Sequence, residues 1–162
     1  ARSETLSEKP AFRASFANKR CLILADGFYE WKKPVRSMNQ SIPYYVRLVA
    51  NQPFAFAGIW DRWKTQEGAD FLSCSIITCR ANNYLQPIHE RMPLILEKSQ
   101  MELWINHDAP MNELNRLMSP LDDAKLIAYP VSTIVNRPGN NSPDCIVLTR
   151  DRFWVHPNHL LE

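Results

Sequence analysis

The chain has 162 residues and a mass of 18.8 kDa, the size of one ordinary domain. A hydrophobic fraction of 45% and a charged fraction of 22% exclude disordered, collagen-like and coiled-coil classes. The net charge of +2 hides a split: residues 1–64 carry eleven Lys/Arg against five Asp/Glu, and residues 65–162 carry eight against twelve. A basic first part suits a phosphate-binding face, although ordinary scatter over a solvated surface gives the same count.

No stretch reaches the roughly 18 apolar residues of a membrane helix, and ARSETLSEKP (1–10) lacks the layout of a secretory signal, so no membrane partner is expected. Twelve prolines against four glycines favour pinned turns over glycine-rich phosphate loops. Neither GxGxxG nor GxxxxGK[ST] occurs, and no nucleotide cofactor is expected. Cys21, Cys74, Cys79 and Cys145 form no CxxC pair, so they read as reduced, mostly buried thiols rather than a disulfide or zinc framework. No metal is expected, and the HxxH of His156 and His159 reads as part of a frayed terminus.

In chain order, a short helix starts at Pro10 with Phe12 and Phe16 on one face. CLILAD (21–26) and FYEWKK (28–33) read as strands about Gly27, and PVRSMNQSI (34–42) as a long polar hairpin connection. PYYVRLV (43–49), FAFAGIWDRW (54–63) and FLSCSIIT (71–78) follow as strands, the last two joined by a hairpin tip at 64–70. RANNYLQPI (80–88) is expected to be a short helix ended by Pro87, and LIL (94–96) a short strand. KSQMELWIN (98–106) is expected to be a helix capped by Ser99 with Met101, Trp104 and Ile105 at helical spacing. MNELNRLMS (111–119) repeats that pattern with Leu114, Leu117 and Met118. KLIAYPVS (125–132) and CIVLT (145–149) are expected strands on either side of an Asn/Pro/Gly loop. Runs of strands with helices gathered late imply an α+β fold with a curved, largely antiparallel and barrel-like sheet core, in a single domain over 1–162.

Two residues stand out as carriers of chemistry. Glu30 lies in an aromatic strand where alternation puts Phe28 and Glu30 on one face and Tyr29 and Trp31 on the other. A carboxyl desolvated beside rings is pushed into a useful acid–base range; the alternative is a solvent-facing glutamate beside Lys32 and Lys33. His89, in IHERMP, is the best placed of four histidines for proton transfer near neutrality, with a structural or exposed imidazole as its alternative. Glu90 and Arg91 beside it read as a surface ion pair. These residues reach a possible Glu/His pair and no reaction.

ARSET (1–5), RCLILADGFYEW (20–31) and IHERMP (88–93) closely resemble the SRAP family, the SOS response-associated peptidases, and YPVSTIVNRPGNNSPDC (129–145) extends the match more weakly. The resemblance implies a protein of the DNA damage response that traps abasic sites in single-stranded DNA. An N-terminal Cys, exposed when the initiator Met is removed, would form a thiazolidine with the sugar aldehyde. It implies active-site roles for Glu30, as proton shuttle and in Met removal, and for His89, in opening the sugar or assisting the imine. It implies DNA contacts for Arg2, for Thr78 as a site-lining residue, and for Arg91. The reduced thiols suit a cytoplasmic or nuclear protein, and the expected location is cytoplasmic, nucleoid-associated if the source is bacterial. Roughly the first third of a family domain is expected to precede this chain and to carry the nucleophile. No internal cysteine replaces it, because only an N-terminal Cys offers amine and thiol on one carbon. The competing expectations are a non-catalytic single-stranded-DNA binding module and a peptidase acting on other proteins.

Overall fold

The computed structural model describes residues 1–34 and 40–149. Five of the polar residues expected to join the second and third strands (35–39), and the HxxH at 156–159, lie outside the described residues. The chain forms two compact units, each gathered from separated stretches. The first comprises Ala1–Ala25, Pro53–Arg80 and Arg91–Leu121; the second comprises Asp26–Gln52, Ala81–Glu90 and the chain from Asp122.

The first unit opens with a 3-10 turn at Ser3–Thr5 and helix α1 (Pro10–Asn18). Strand β1 (Arg20–Ala25) pairs antiparallel with β4 (Phe54–Lys64), which is long enough to serve two further strands. The second half of β4 pairs with β5 (Asp70–Ile76), while Ala55 and Phe56 pair with β8 (Ile95–Leu96). The tip between β4 and β5 closes through Thr65 N–H to the Ala69 carbonyl, and Gly68 supplies the positive φ of 83° that this tight turn needs. Gly58 in β4 is bare for a reason: a Cβ there would meet Cys21 Sγ and Ile23 Cδ1, each at 2.9 Å. Two short strands, β6 (Thr78–Arg80) and β7 (Arg91–Pro93), form their own antiparallel pair. Helices α2 (Lys98–Ile105) and α3 (Met111–Arg116) complete the unit.

Its core is apolar, with Leu6, Phe16, Ile77, Met92, Leu94, Leu96, Trp104 and Leu114 almost wholly buried. Trp104, in the last turn of α2, packs its ring 6.0 Å from Phe16 and donates its indole N–H to the carbonyls of Cys21 and Gly58. Arg20 is the one charged residue buried there, and its guanidinium donates to four backbone carbonyls. Phe16 and Ala17 accept at the end of α1, and Trp104 and Asn106 at the end of α2, at 2.6 to 2.8 Å. A buried cation is tolerated here because its donors are met by good acceptors.

The second unit is built on the antiparallel order β2 (Phe28–Lys32), β3 (Ile42–Leu48) and β9 (Leu126–Pro130). Strand pairing sets Tyr29, Tyr45 and Tyr129 in one row across a face, with ring centroids 5.3 and 5.8 Å apart. The loop after β9 covers part of that face: Tyr29 and Tyr129 donate to the carbonyls of Cys145 and Ile146, and the Trp31 indole to Asn136. The opposite face carries Glu30, Tyr44 and Pro130 in one row.

Antiparallel sheets with three α-helices give the α+β class read from sequence, and among the described residues no sheet closes into a barrel. Three local expectations are corrected. Residues 83–88 form successive turns rather than a helix, because Asn82 and Pro87 divert the backbone into a side-chain-capped turn. The first turn of α2 is capped by Glu97 and Gln100 bonding each other's backbone N–H groups, with Ser99 already inside the helix. Residues Pro143–Ile146 form a 3-10 turn, and only Leu148 bridges to Val131, where a full strand over 145–149 was expected. Among the cysteines, Cys79 and Cys145 are buried, Cys21 is half-buried and Cys74 is exposed; all four are free thiols. No helix among the described residues is long and apolar enough to cross a membrane.

Candidate active site

Two clusters, one in each unit, hold the residues singled out from sequence. In the second unit, β2 carries Glu30 on the face shared with Tyr44. The turn after β6 brings His89 to it. Asn82 is buried, and its side-chain oxygen accepts from Leu85 N–H, starting the turn; His89 N–H then donates to the Leu85 carbonyl. Ala81 N–H to the Glu90 carbonyl closes the base of this excursion. Tyr84 fastens it to β9, accepting from Ala128 N–H through its hydroxyl, while its own N–H donates to Asp123. The result is a contact of 3.8 Å between His89 Nδ1 and Glu30 Oε2.

Burial pushes the Glu30 carboxyl above its ordinary range, against the weaker opposing pull of His89 and of the Trp31 backbone N–H. A separation of 3.8 Å is ion-pair distance and too long for a hydrogen bond, so the two groups are not consumed by each other. An oxygen or nitrogen resting against both would lie within reach of each. The pair can therefore take a proton from one atom of a substrate and return it to another.

In the first unit, Arg2 and Thr78 form a parallel bridge, supported by Thr78 N–H donating to the Ala1 carbonyl. The Arg2 side chain is exposed and Thr78 is half-buried. Arg91, on β7, donates from Nε to Thr78 Oγ1 at 3.1 Å and from Nη2 to the Thr78 carbonyl at 2.6 Å. It also donates to Glu4, Nη1 to Oε1 at 2.9 Å and Nη2 to Oε2 at 3.0 Å. Arg91 thus pairs with Glu4, 87 positions away, where the sequence had suggested the neighbouring Glu90. Its guanidinium holds the Glu4 carboxyl down at about 2.

The structure brings Glu30 to His89, and Thr78 to both Arg2 and Arg91. Sequence reading passed over Glu4 and Asn82. The Asn82–Asn83 pair ahead of Pro87 is a turn signal that pointed to the second; the first stands inside the matched segment ARSET, with its partner Arg91 87 positions away. Burial pushes the Cys79 thiol up to about 11 and raises Cys21 as well, so neither is an activated nucleophile. Among the described residues no three His, Cys, Asp or Glu side chains gather as a metal site.

The sequence profile of the family described as SOS response associated peptidase (SRAP) matches residues 1–138. The chain belongs to the SRAP family. Among SRAP relatives it is 44% identical over 147 residues to the abasic site processing protein YoqW of Bacillus subtilis, covering 90% of this chain and 65% of that protein. It is 33% identical to the abasic site processing protein HMCES of Xenopus tropicalis, covering 93% of this chain and 51% of that protein. A crystal structure of a protein from Bacteroides thetaiotaomicron superposes with a TM-score of 0.84 at 32% identity, covering 92% of this chain and 65% of that one. This SRAP chain therefore spans about two thirds of the bacterial relatives and half of the vertebrate one.

Proposed function

We propose that the full-length protein containing this chain traps abasic sites in single-stranded DNA by covalent attachment. The observation that carries the reading is the 3.8 Å contact between a desolvated Glu30 and His89, inside a chain 44% identical to a protein named for abasic site processing. The nucleophile in this reading is an N-terminal Cys outside the sequence given. Its amine attacks C1′ of the ring-opened sugar, water leaves to give an imine, and the thiol adds to the imine carbon to close a thiazolidine. Aldehyde and aminothiol thus yield the ring and one water.

His89 protonates the ring oxygen as the sugar opens. Glu30 accepts a proton from the attacking amine and returns it to the departing hydroxyl, the task for which a raised carboxyl is suited. Glu30 also assists removal of the initiator Met that exposes the Cys. Arg2, with its exposed guanidinium, holds a backbone phosphate, and Thr78 and Arg91 contact DNA with it. Four free thiols suit a reducing compartment, and we assign the protein to DNA within the cytoplasm.

The test incubates the full-length protein with a single-stranded oligonucleotide bearing one abasic site and resolves the products on a denaturing gel. A shifted covalent band that disappears when the N-terminal Cys is replaced by Ser supports the reading. Salt-sensitive binding with no covalent band would instead indicate a binding module. Turnover on a foreign peptide without DNA attachment would indicate a peptidase.

A further inference from the structure

We propose that Glu4 is a positioning residue for DNA, acting through Arg91 to hold Arg2 and Thr78 in the arrangement that grips phosphate. The proposal rests on the DNA-binding reading above and assigns a role to a residue that reading does not use.

The geometry is a closed ring of three chain segments. Glu4 binds Arg91 through two parallel hydrogen bonds, Arg91 binds both the hydroxyl and the carbonyl of Thr78, and Thr78 bridges back to Arg2, two residues before Glu4. Arg2 is also the residue from which the Ser3–Thr5 turn departs, with φ −95° and ψ 129°. Two constraints thus fix the direction in which its side chain leaves the backbone: the bridge on one side and the anchored turn on the other. A planar fork gripping a carboxylate on two prongs fixes orientation as well as distance, which a lysine in the same place would not do.

The sign of the charge strengthens the argument. An exposed carboxylate two residues from a phosphate-binding arginine repels DNA unless it is neutralised. Here it is met by Arg91 on both oxygens, and its proton is released down to about 2, so the ion pair persists through the whole physiological range. The same residue is thereby removed from the electrostatic balance and converted into a strut.

Two roles for Glu4 predict opposite signs. If it were only an acidic surface residue, Glu4→Gln would remove repulsion, tighten binding to DNA and steepen its salt dependence. As a positioning residue, its loss lets the Arg2 segment swing away from phosphate. The full-length protein is titrated with an undamaged fluorescent single-stranded oligonucleotide at several salt concentrations, and its covalent capture of an abasic oligonucleotide is timed in parallel. We expect Glu4→Gln to weaken binding about tenfold and to make the slope of log affinity against log salt shallower by about 0.7, one single-strand phosphate contact. Capture at subsaturating DNA slows in proportion. Glu4→Asp keeps the charge with a shorter reach and should fall between; it carries the same test if Glu4→Gln does not fold, as judged by thermal melting. Folded variants that bind as well as or better than the wild type, with an unchanged or steeper salt slope, would overturn the role of Glu4 while leaving the DNA reading intact. A wild-type protein that neither binds nor captures DNA would overturn both.

Discussion

Each unit of the molecule sets a glutamate against a nitrogen base, and the two pairs behave in opposite ways. Glu30 sits partly buried beside an imidazole at 3.8 Å, and burial lifts its carboxyl above the usual range. Glu4 sits at the surface on two prongs of a guanidinium at 2.9 and 3.0 Å, and that permanent cation drives its carboxyl down to about 2. The chemistry of the side chain is the same in both. What differs is whether desolvation or a fixed positive charge dominates, and that decides whether the carboxyl is pushed towards its protonated form or held ionised as a fastening.

The largest expected effect tests the exchanging pair. Glu30→Ala and His89→Ala should each slow covalent capture of an abasic oligonucleotide by roughly 10²- to 10⁴-fold, the usual worth of a positioned acid or base. Near-normal rates in either variant, measured on quenched time courses, would break the contrast at its more consequential end. Next comes the extreme case of a holding cation. Arg20→Ala strands four carbonyls around a buried space, and should cost about 3 kcal/mol or more in denaturant unfolding.

Arg91→Met should then release Glu4, whose carboxyl returns from about 2 towards its ordinary 4.5, read by carbon-detected NMR titration. In the wild type, the depressed Glu4 supports the fold above the ordinary value, and that support fades as pH falls from about 4.5 towards 2; the variant should lose this acid limb. The smallest effect is the mirror image. A carboxyl raised by burial favours the folded state when protonated, so the Glu30 contribution is present at low pH and is lost as pH rises through its folded value. Glu30→Gln should flatten that decline and modestly raise the melting temperature at neutral pH while abolishing rapid capture, so the group gained for chemistry costs stability.

The strands were legible where alternation and aromatic content were strong. FYEWKK and PYYVRLV were expected as strands and form β2 and β3 to within a residue at each end, so the side of the sheet on which Glu30 lies could be read from the alternation around it. Its partner was legible as a residue but not as a contact. His89 reaches Glu30 through a turn that depends on a buried Asn82 amide and on Tyr84 bonding to β9, none of which has a periodic signature. The segment expected as a helix at 80–88 failed for the same reason, since helical spacing counts apolar residues and does not weigh side-chain-to-backbone competition. CIVLT looked like a strand because of its β-branched content, yet Tyr29 and Tyr129 take the carbonyls of Cys145 and Ile146 and leave little for a sheet ladder. Glu4 stood inside the matched segment ARSET, yet its role was not readable there because its partner is Arg91, 87 residues away.

The Arg20 joint has a further consequence for how the protein can be studied. Each helix accumulates about half a negative charge at its carboxyl end, and the guanidinium sits where the ends of α1 and α2 converge, so one whole positive charge meets two halves. Such an arrangement is close to neutral seen from outside and is shut away from mobile ions, leaving salt little to screen. Added salt, which screens exposed charges, leaves this joint untouched. If Arg2 holds phosphate as proposed, ionic strength therefore acts as a clean dial on this molecule, turning that attachment down while the packing of the two helices stays where it was.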